Sequence, residues 1–306
     1  MQEITIGEML EHLRKKRGVS KERLSDGICS KMTLGRYERD ERIPDKFVID
    51  SLLERLEQNP EKLEFIASDK EFQITLYRDE IEEHLECGRL AEAEAVLGRY
   101  EKEIKKEEKL HKQYIRLKYG ELFFAQKEYQ KALEALRSAL SYTGREEILT
   151  KGLEERLLSF TELELLYKIA ETYYELEACS CSASLFLMLE KYLEKLDEKN
   201  EKRLRFFSGV LYYLGVLEKQ FQHWERADDY LSKAEKLMRK EFRLQGLSDI
   251  MKARIQVEKQ LQKAPEQFAD KEKLLLALEM ISMCDAEGML TEEGIRLWEN
   301  TVNQQL

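Results

Sequence analysis

Apolar residues at Ile6, Met9, Leu10 and Leu13 recur at i, i+3, i+4 and i+7 with polar residues between them, which predicts an amphipathic helix. A basic last turn before Gly18 ends that helix at Arg17. Ser20 is placed to cap a short second helix around Leu24, and Asp26-Gly27-Ile28-Cys29 reads as a turn. Ser30 caps a third helix running through Thr33, Leu34 and Tyr37 to about Arg39. Pro44 fits the first turn of a fourth helix carrying Phe47, Leu52, Leu53 and Leu56. Asn59-Pro60-Glu61 then restarts the chain as a cap followed by proline.

Beyond this block the chain reads as helical almost throughout, and its pattern repeats. Gly215 and Ala227 are small residues twelve apart, framed by Leu211, Leu214, Trp224, Leu231 and Ala234. Gly120 and Ala132 repeat the spacing with Tyr119, Phe123, Tyr129, Leu136 and Ala139. Ala170 to Ser182 is a looser copy, and Ile81 to Ala93 looser still. Small residues at this spacing let two antiparallel helices approach closely, and the pattern resembles the tetratricopeptide repeat. Steps of 39, 50 and 45 residues between copies exceed the usual period of about 34, so helices or connections are longer here. A fifth unit is expected around Lys252 to Cys284, and a capping helix over Thr291 to Leu306. Each repeat must bury its open face on a neighbour, so the expectation is a right-handed α-solenoid with a concave inner surface.

Composition sharpens this picture. With 3 prolines and 14 glycines in 306 residues, a large all-β fold or a glycine-rich phosphate-binding fold is disfavoured, and long helices are the natural alternative. The net charge of −10 argues against a chain coated in nucleic acid. Residues 14–46, however, hold 11 basic and 6 acidic residues, a basic segment ahead of an acidic body. Five cysteines without a CxxC pair suit reduced thiols in the cytoplasm. The N-terminus does not read as a signal peptide, and the most apolar stretch, Phe206 to Leu217, is too short to span a bilayer. His84 and Cys87 lie three apart without a partner pair, so no metal or other cofactor is expected. The nucleophile-elbow, phosphate-loop, dinucleotide and zinc-protease motifs do not occur, and the chain does not read as an enzyme.

The stretch Leu13-Arg14-Lys15-Lys16-Arg17-Gly18-Val19-Ser20, then Leu24, Thr33-Leu34-Gly35-Arg36-Tyr37-Glu38-Arg39 and Pro44, resembles the lambda-repressor-like helix-turn-helix of the XRE family. The chain departs from that family at Gly35 and Asp40, where Ser and Gly are usual. The resemblance implies a recognition helix presenting Ser30, Lys31, Met32, Thr33 and Arg36 to base edges. Arg14, Lys15, Lys21, Arg39 and Arg42 are then candidates for phosphates. The expected organisation is all-α, with a DNA-binding head over residues 1–65 and a tetratricopeptide-like domain over 70–306.

Head and repeats together resemble the Rgg/PlcR-type (RRNPP) family of cytoplasmic quorum-sensing regulators. That resemblance implies a homodimer, promoter DNA as one ligand and a short signalling peptide as the other, bound in the solenoid groove. The inward positions of the repeat pattern give Arg78, Glu82 and Glu86, then Tyr114, Leu117, Glu121 and Phe124. They continue with Glu164, Tyr167, Glu171, Tyr174 and Glu175, then Tyr212, Lys219 and Gln220. Six glutamates facing only Arg78 and Lys219 predict a groove for an extended peptide with apolar side chains and a basic residue or free amino terminus. The alternative is a DNA-tethered scaffold for a folded protein partner.

Overall fold

The computed structural model describes residues 5–60, 68–153, 156–197, 201–240, 246–261 and 275. Among the described residues the regular elements are helices, and there is no strand. They are α1 (Ile6–Lys16), α2 (Lys21–Ser25), α3 (Lys31–Glu38) and α4 (Lys46–Arg55). Next come α5 (Asp69–Glu86), α6 (Leu90–Glu103), α7 (Lys109–Ala125), α8 (Tyr129–Ser141) and α9 (Ile148–Lys151). Then follow α10 (Phe160–Glu175), α11 (Cys179–Leu193), α12 (Glu201–Gln220), α13 (Trp224–Lys240) and α14 (Leu247–Gln260). The chain forms two compact units, Met1–Lys202 and Arg203–Leu306.

Caps set the ends of the first four helices. Thr5 and Glu8 form a capping box at α1, and the Ser20 and Ser30 hydroxyls accept from the third backbone N–H of α2 and α3. At α4 the cap is Asp45, whose carboxylate accepts from the Val48 N–H at 2.9 Å. Pro44 therefore lies just before the cap instead of in the first turn, because the Asp45 carboxylate supplies the acceptor that starts the helix at Lys46. Leu10, Leu24, Leu34, Leu52, Leu53 and Leu56 close a small core of their own.

The repeats are helical hairpins: α5 with α6, α7 with α8 and α10 with α11 in the first unit, and α12 with α13 in the second. The small residues sit where the helices touch. A Cβ on Gly120 would lie 2.6 Å from the Leu136 side chain, and one on Gly215 would lie 2.6 Å from that of Leu231. Their partners Ala132 and Ala227 are fully buried. In the third hairpin the buried Ser182 hydroxyl donates to the Ala170 carbonyl at 2.8 Å.

Seven residues after each of Ile81, Gly120, Ala170 and Gly215, at Gly88, Lys127, Glu177 and Gln222, the backbone turns left-handed with φ between 58° and 69°. The next N–H donates back to the carbonyl five residues earlier, in Arg89→His84, Glu128→Phe123, Ala178→Tyr173 and His223→Glu218, at 2.8–2.9 Å. All four first helices thus end in one Schellman geometry, in one register. The 50-residue step is explained by α9 and its flanking segment, inserted between α8 and α10. Helix α14 overlaps the start of the expected fifth unit, while the rest of that unit beyond Leu261, apart from Leu275, and the expected helix at 291–306 lie outside the described residues. Among the described residues no helix is long and apolar enough to cross a membrane.

Candidate DNA interface and inner groove

Helix α3 presents one solvent-facing edge. Lys31, Met32 and Arg36 are exposed, Met32 at 68%, an unusual amount for a large apolar side chain. Lys31 forms an ion pair with the exposed Glu22 of α2. The Ser30 and Thr33 hydroxyls lie 2.8 Å apart at the start of the helix. Lys15 pairs with Glu11 one turn away, Arg39 makes a fork with Glu41 at 2.6 and 3.0 Å, and exposed Arg42 lies 6.0 Å from the Tyr37 ring centre.

Two of the expected phosphate contacts are otherwise engaged. Arg14 is buried and forms a two-pronged ion pair with Glu38 at 2.5 and 3.2 Å, while also donating to the Val19 carbonyl at 3.0 Å. Lys21 Nζ lies 2.7 Å from the same carboxylate. Burial alone would raise the Glu38 carboxyl, but hydrogen bonds from Arg14 and Lys21 hold it below its ordinary value. These cations set α3 against α1 and α2; Arg14 is a structural residue, because its charge is consumed inside the head. Asp40, at φ 55°, accepts from the Gly7 N–H at 3.1 Å and the Thr5 hydroxyl at 2.5 Å, so it fastens the start of α1. Gly35 has room around it, the nearest atom to an added Cβ being Arg39 Nη1 at 3.4 Å.

The head is anchored on the repeats through buried charge. Arg55 of α4 donates to both Glu162 oxygens at 3.0 Å and to the Leu24 carbonyl at 2.9 Å. Arg145 donates to Glu162 at 2.9 Å, to the Asp26 carboxylate at 2.7 Å and to the Asp26 carbonyl at 3.1 Å. Both arginines and Glu162 are at most 2% exposed. Burial would raise the Glu162 carboxyl, yet the two guanidiniums outweigh it and hold it at about 2. Gly27 makes the close approach possible: with φ 74°, a Cβ there would sit 2.3 Å from the Thr143 carbonyl. Beside this contact, Phe47 packs 4.3 Å from the His111 ring, and the Tyr100 hydroxyl is 2.8 Å from His111 Nδ1. Burial pushes His111 down to about 4.

The first helices of the three hairpins, α5, α7 and α10, share an inner face. Arg78 of α5 lies between the rings of Phe47 and Tyr114, at 4.3 and 4.4 Å. The Tyr114 hydroxyl donates to Glu82 at 3.0 Å. Lys118 reaches Glu82, Glu121 and Glu164 at 3.8, 3.0 and 3.7 Å, and Lys168 reaches Glu171 at 2.8 Å while lying 5.5 Å from the Phe124 ring centre. Arg78, Tyr114, Glu121, Phe124 and Glu171 are thus brought into one cluster.

Several expected groove residues go elsewhere. Leu117 is fully buried in the core, because its position points into the hairpin. Tyr114 is also buried and forms floor instead of wall. Tyr167 packs edge-on to Phe186 of α11 at 5.6 Å, and Tyr174 is half-buried. Glu86 and Glu175 are exposed. In the second unit, Tyr212 packs on Tyr213 at 5.2 Å, Lys219 donates to Gln256 at 2.9 Å and Gln220 is exposed. Lys118 and Lys168 were missed: they lie one residue beyond Leu117 and Tyr167, on the side of the helix that does face inward. With them the inner face of the first unit carries Arg78, Lys118 and Lys168 against six glutamates, so it is less acidic than the inward pattern suggests but still has an acidic excess.

Residues 10–63 match the helix-turn-helix family, so the head is a DNA-binding helix-turn-helix domain of XRE type. Two solved structures are similar in fold. One is PlcR of Bacillus thuringiensis in complex with the peptide PapR7 and DNA, with 17% identity over 90% of this chain and 94% of that one, and a TM-score of 0.56. The other is the apo form of the competence regulator ComR from Streptococcus vestibularis, with 13% identity over 98% of this chain and 96% of that one, and a TM-score of 0.50. No curated protein matches the chain in sequence.

Proposed function

We propose that the chain is a sequence-specific transcription regulator whose DNA binding is controlled by a short signalling peptide held on the inner face of its repeat domain. The head is residues 1–65, and the repeats at 70–306 serve peptide binding and dimerisation. The observation that carries this reading is the placement of α10. Its first turn supplies Glu162, which grips the head through Arg55, and its next two turns supply Glu164, Lys168 and Glu171 of the inner face. One rigid element therefore touches both the head and the groove. The likeness in fold to PlcR, a structure that contains both a peptide and DNA, supports the same reading.

In a homodimer, two copies of α3 would enter successive major grooves about one helical turn apart. Lys31, Met32 and Arg36 would face base edges, with Lys15, Arg39 and Arg42 toward phosphates. A peptide acts only by favouring one arrangement of the two heads over another. The test is fluorescence anisotropy on the DNA upstream of the protein's own gene at two salt concentrations, beside a scrambled duplex. Arg36→Ala is expected to weaken specific binding about tenfold, in line with the loss of one base-reading arginine. Equal affinity of the native protein for both duplexes would contradict the reading.

A further inference from the structure

Inner-face acids among the described residues lie beside a lysine or in water: Glu82, Glu121 and Glu164 meet Lys118, Glu171 meets Lys168, and Glu86 and Glu175 are exposed. Among the inner-face cations of the first unit, Arg78 is the exception. It has no carboxylate within ion-pairing distance among the described residues, and its Nε is shielded from solvent with no hydrogen-bond partner. Its plane is held between Phe47 and Tyr114. The aromatic faces stabilise the charge, and the Tyr114 side chain is its hydrogen-bonding neighbour, but neither ring brings a counter-charge. A guanidinium in that state is half-buried and held in orientation, but it lacks a counter-charge. The group that completes it in geometry and charge is a carboxylate, which meets a guanidinium through two parallel N–H···O bonds.

We infer that Arg78 is a carboxylate-binding subsite of the groove, so that the ligand is anchored there by an anionic group. This inference rests on the peptide reading above. For a peptide, the carboxylate is its C-terminus or an acidic side chain. Because Phe47 belongs to α4, the anchored carboxylate also sits one ring away from the head. Beyond Arg78, Phe124 offers an apolar surface beside Lys168.

The test uses the full-length protein and three fluorescent pools of apolar heptapeptides. One pool has a free C-terminal carboxylate, one a C-terminal amide, and one an amide with an internal Asp. The free-acid or the Asp pool is expected to bind about tenfold more tightly than the plain amide pool, and which of the two does so identifies the source of the carboxylate. Arg78→Met keeps an apolar side chain between the rings and is expected to abolish the preference for either carboxylate pool over the plain amide pool. Arg78→Lys, with charge but no fork, should retain part of it. Equal binding of all three pools by the native protein overturns the subsite, as does a preference that persists in Arg78→Met. Binding of none of the pools overturns the peptide reading, and the subsite with it.

Discussion

At the scale of single residues, the same side-chain chemistry serves opposite ends according to what lies opposite it. Arg14 and Arg36 both stand in the basic segment, but only Arg36 reaches solvent. Arg14 finds Glu38, 24 residues away, and is buried with it. That pairing is long-range, so the sequence pattern placed Arg14 among the phosphate contacts. The caps Ser20 and Ser30 were legible because capping is local, and Asp45 was obscured by the neighbouring proline. Glu162 is the extreme case: its partner Arg55 is 107 residues distant, and no periodicity could announce it. Glu162→Gln is expected to cost about 3 kcal/mol or more, since it leaves two buried guanidiniums without their shared charge. Urea denaturation checks this, and an unchanged midpoint would contradict it.

His111 makes a second prediction at this scale. Its folded value of about 4 lies below its ordinary 6.5, so the unfolded chain binds the extra proton between those limits. Its contribution to stability is complete above pH 6.5 and declines as pH falls toward 4. The loss amounts to about 3 kcal/mol at most, by the linkage of pKa shift to stability. Denaturation midpoints at pH 7 and pH 5 should differ more in the native protein than in His111→Gln. Parallel shifts in the two proteins would show that another group sets the slope.

At the scale of elements, the repeats are legible because small residues at a fixed spacing have one physical use. Helices touching at Gly120 and Ala132 leave no room for larger side chains, and the same rule locates the contact at Gly215 and Ala227. The shared left-handed turn was not legible, because glycine marks it only at Gly88, while Lys127, Glu177 and Gln222 adopt it with a side chain attached. Those three carry strain that a glycine would remove. Glu177→Gly is expected to stabilise the protein by about 1 kcal/mol, and Gly88→Ala to destabilise it by a similar amount. Thermal melts read both changes, and a destabilising Glu177→Gly would mean that the turn geometry is not what ends α10. The inner-face lysines mark where pattern reading fell short. Inward positions predict an acidic groove, and side-chain packing adds Lys118 and Lys168 to it without removing the acidic excess.

At the scale of the whole molecule, function depends on whether the groove and the DNA-reading head share one free-energy balance. The route is physical: α10 joins the buried Arg55–Glu162–Arg145 cluster to the inner face, and Phe47 joins α4 to Arg78. Such a connection makes coupling reciprocal, so a peptide that alters DNA affinity must have its own affinity altered by DNA to the same degree. The most direct test is to titrate the upstream DNA with full-length protein, with and without a saturating groove peptide, and then to titrate the peptide with and without DNA. A peptide-induced change of about fivefold or more in DNA affinity, matched by the same factor in the reverse titration, is the predicted result. An unchanged DNA affinity under saturating peptide would contradict the claim that the groove controls the head.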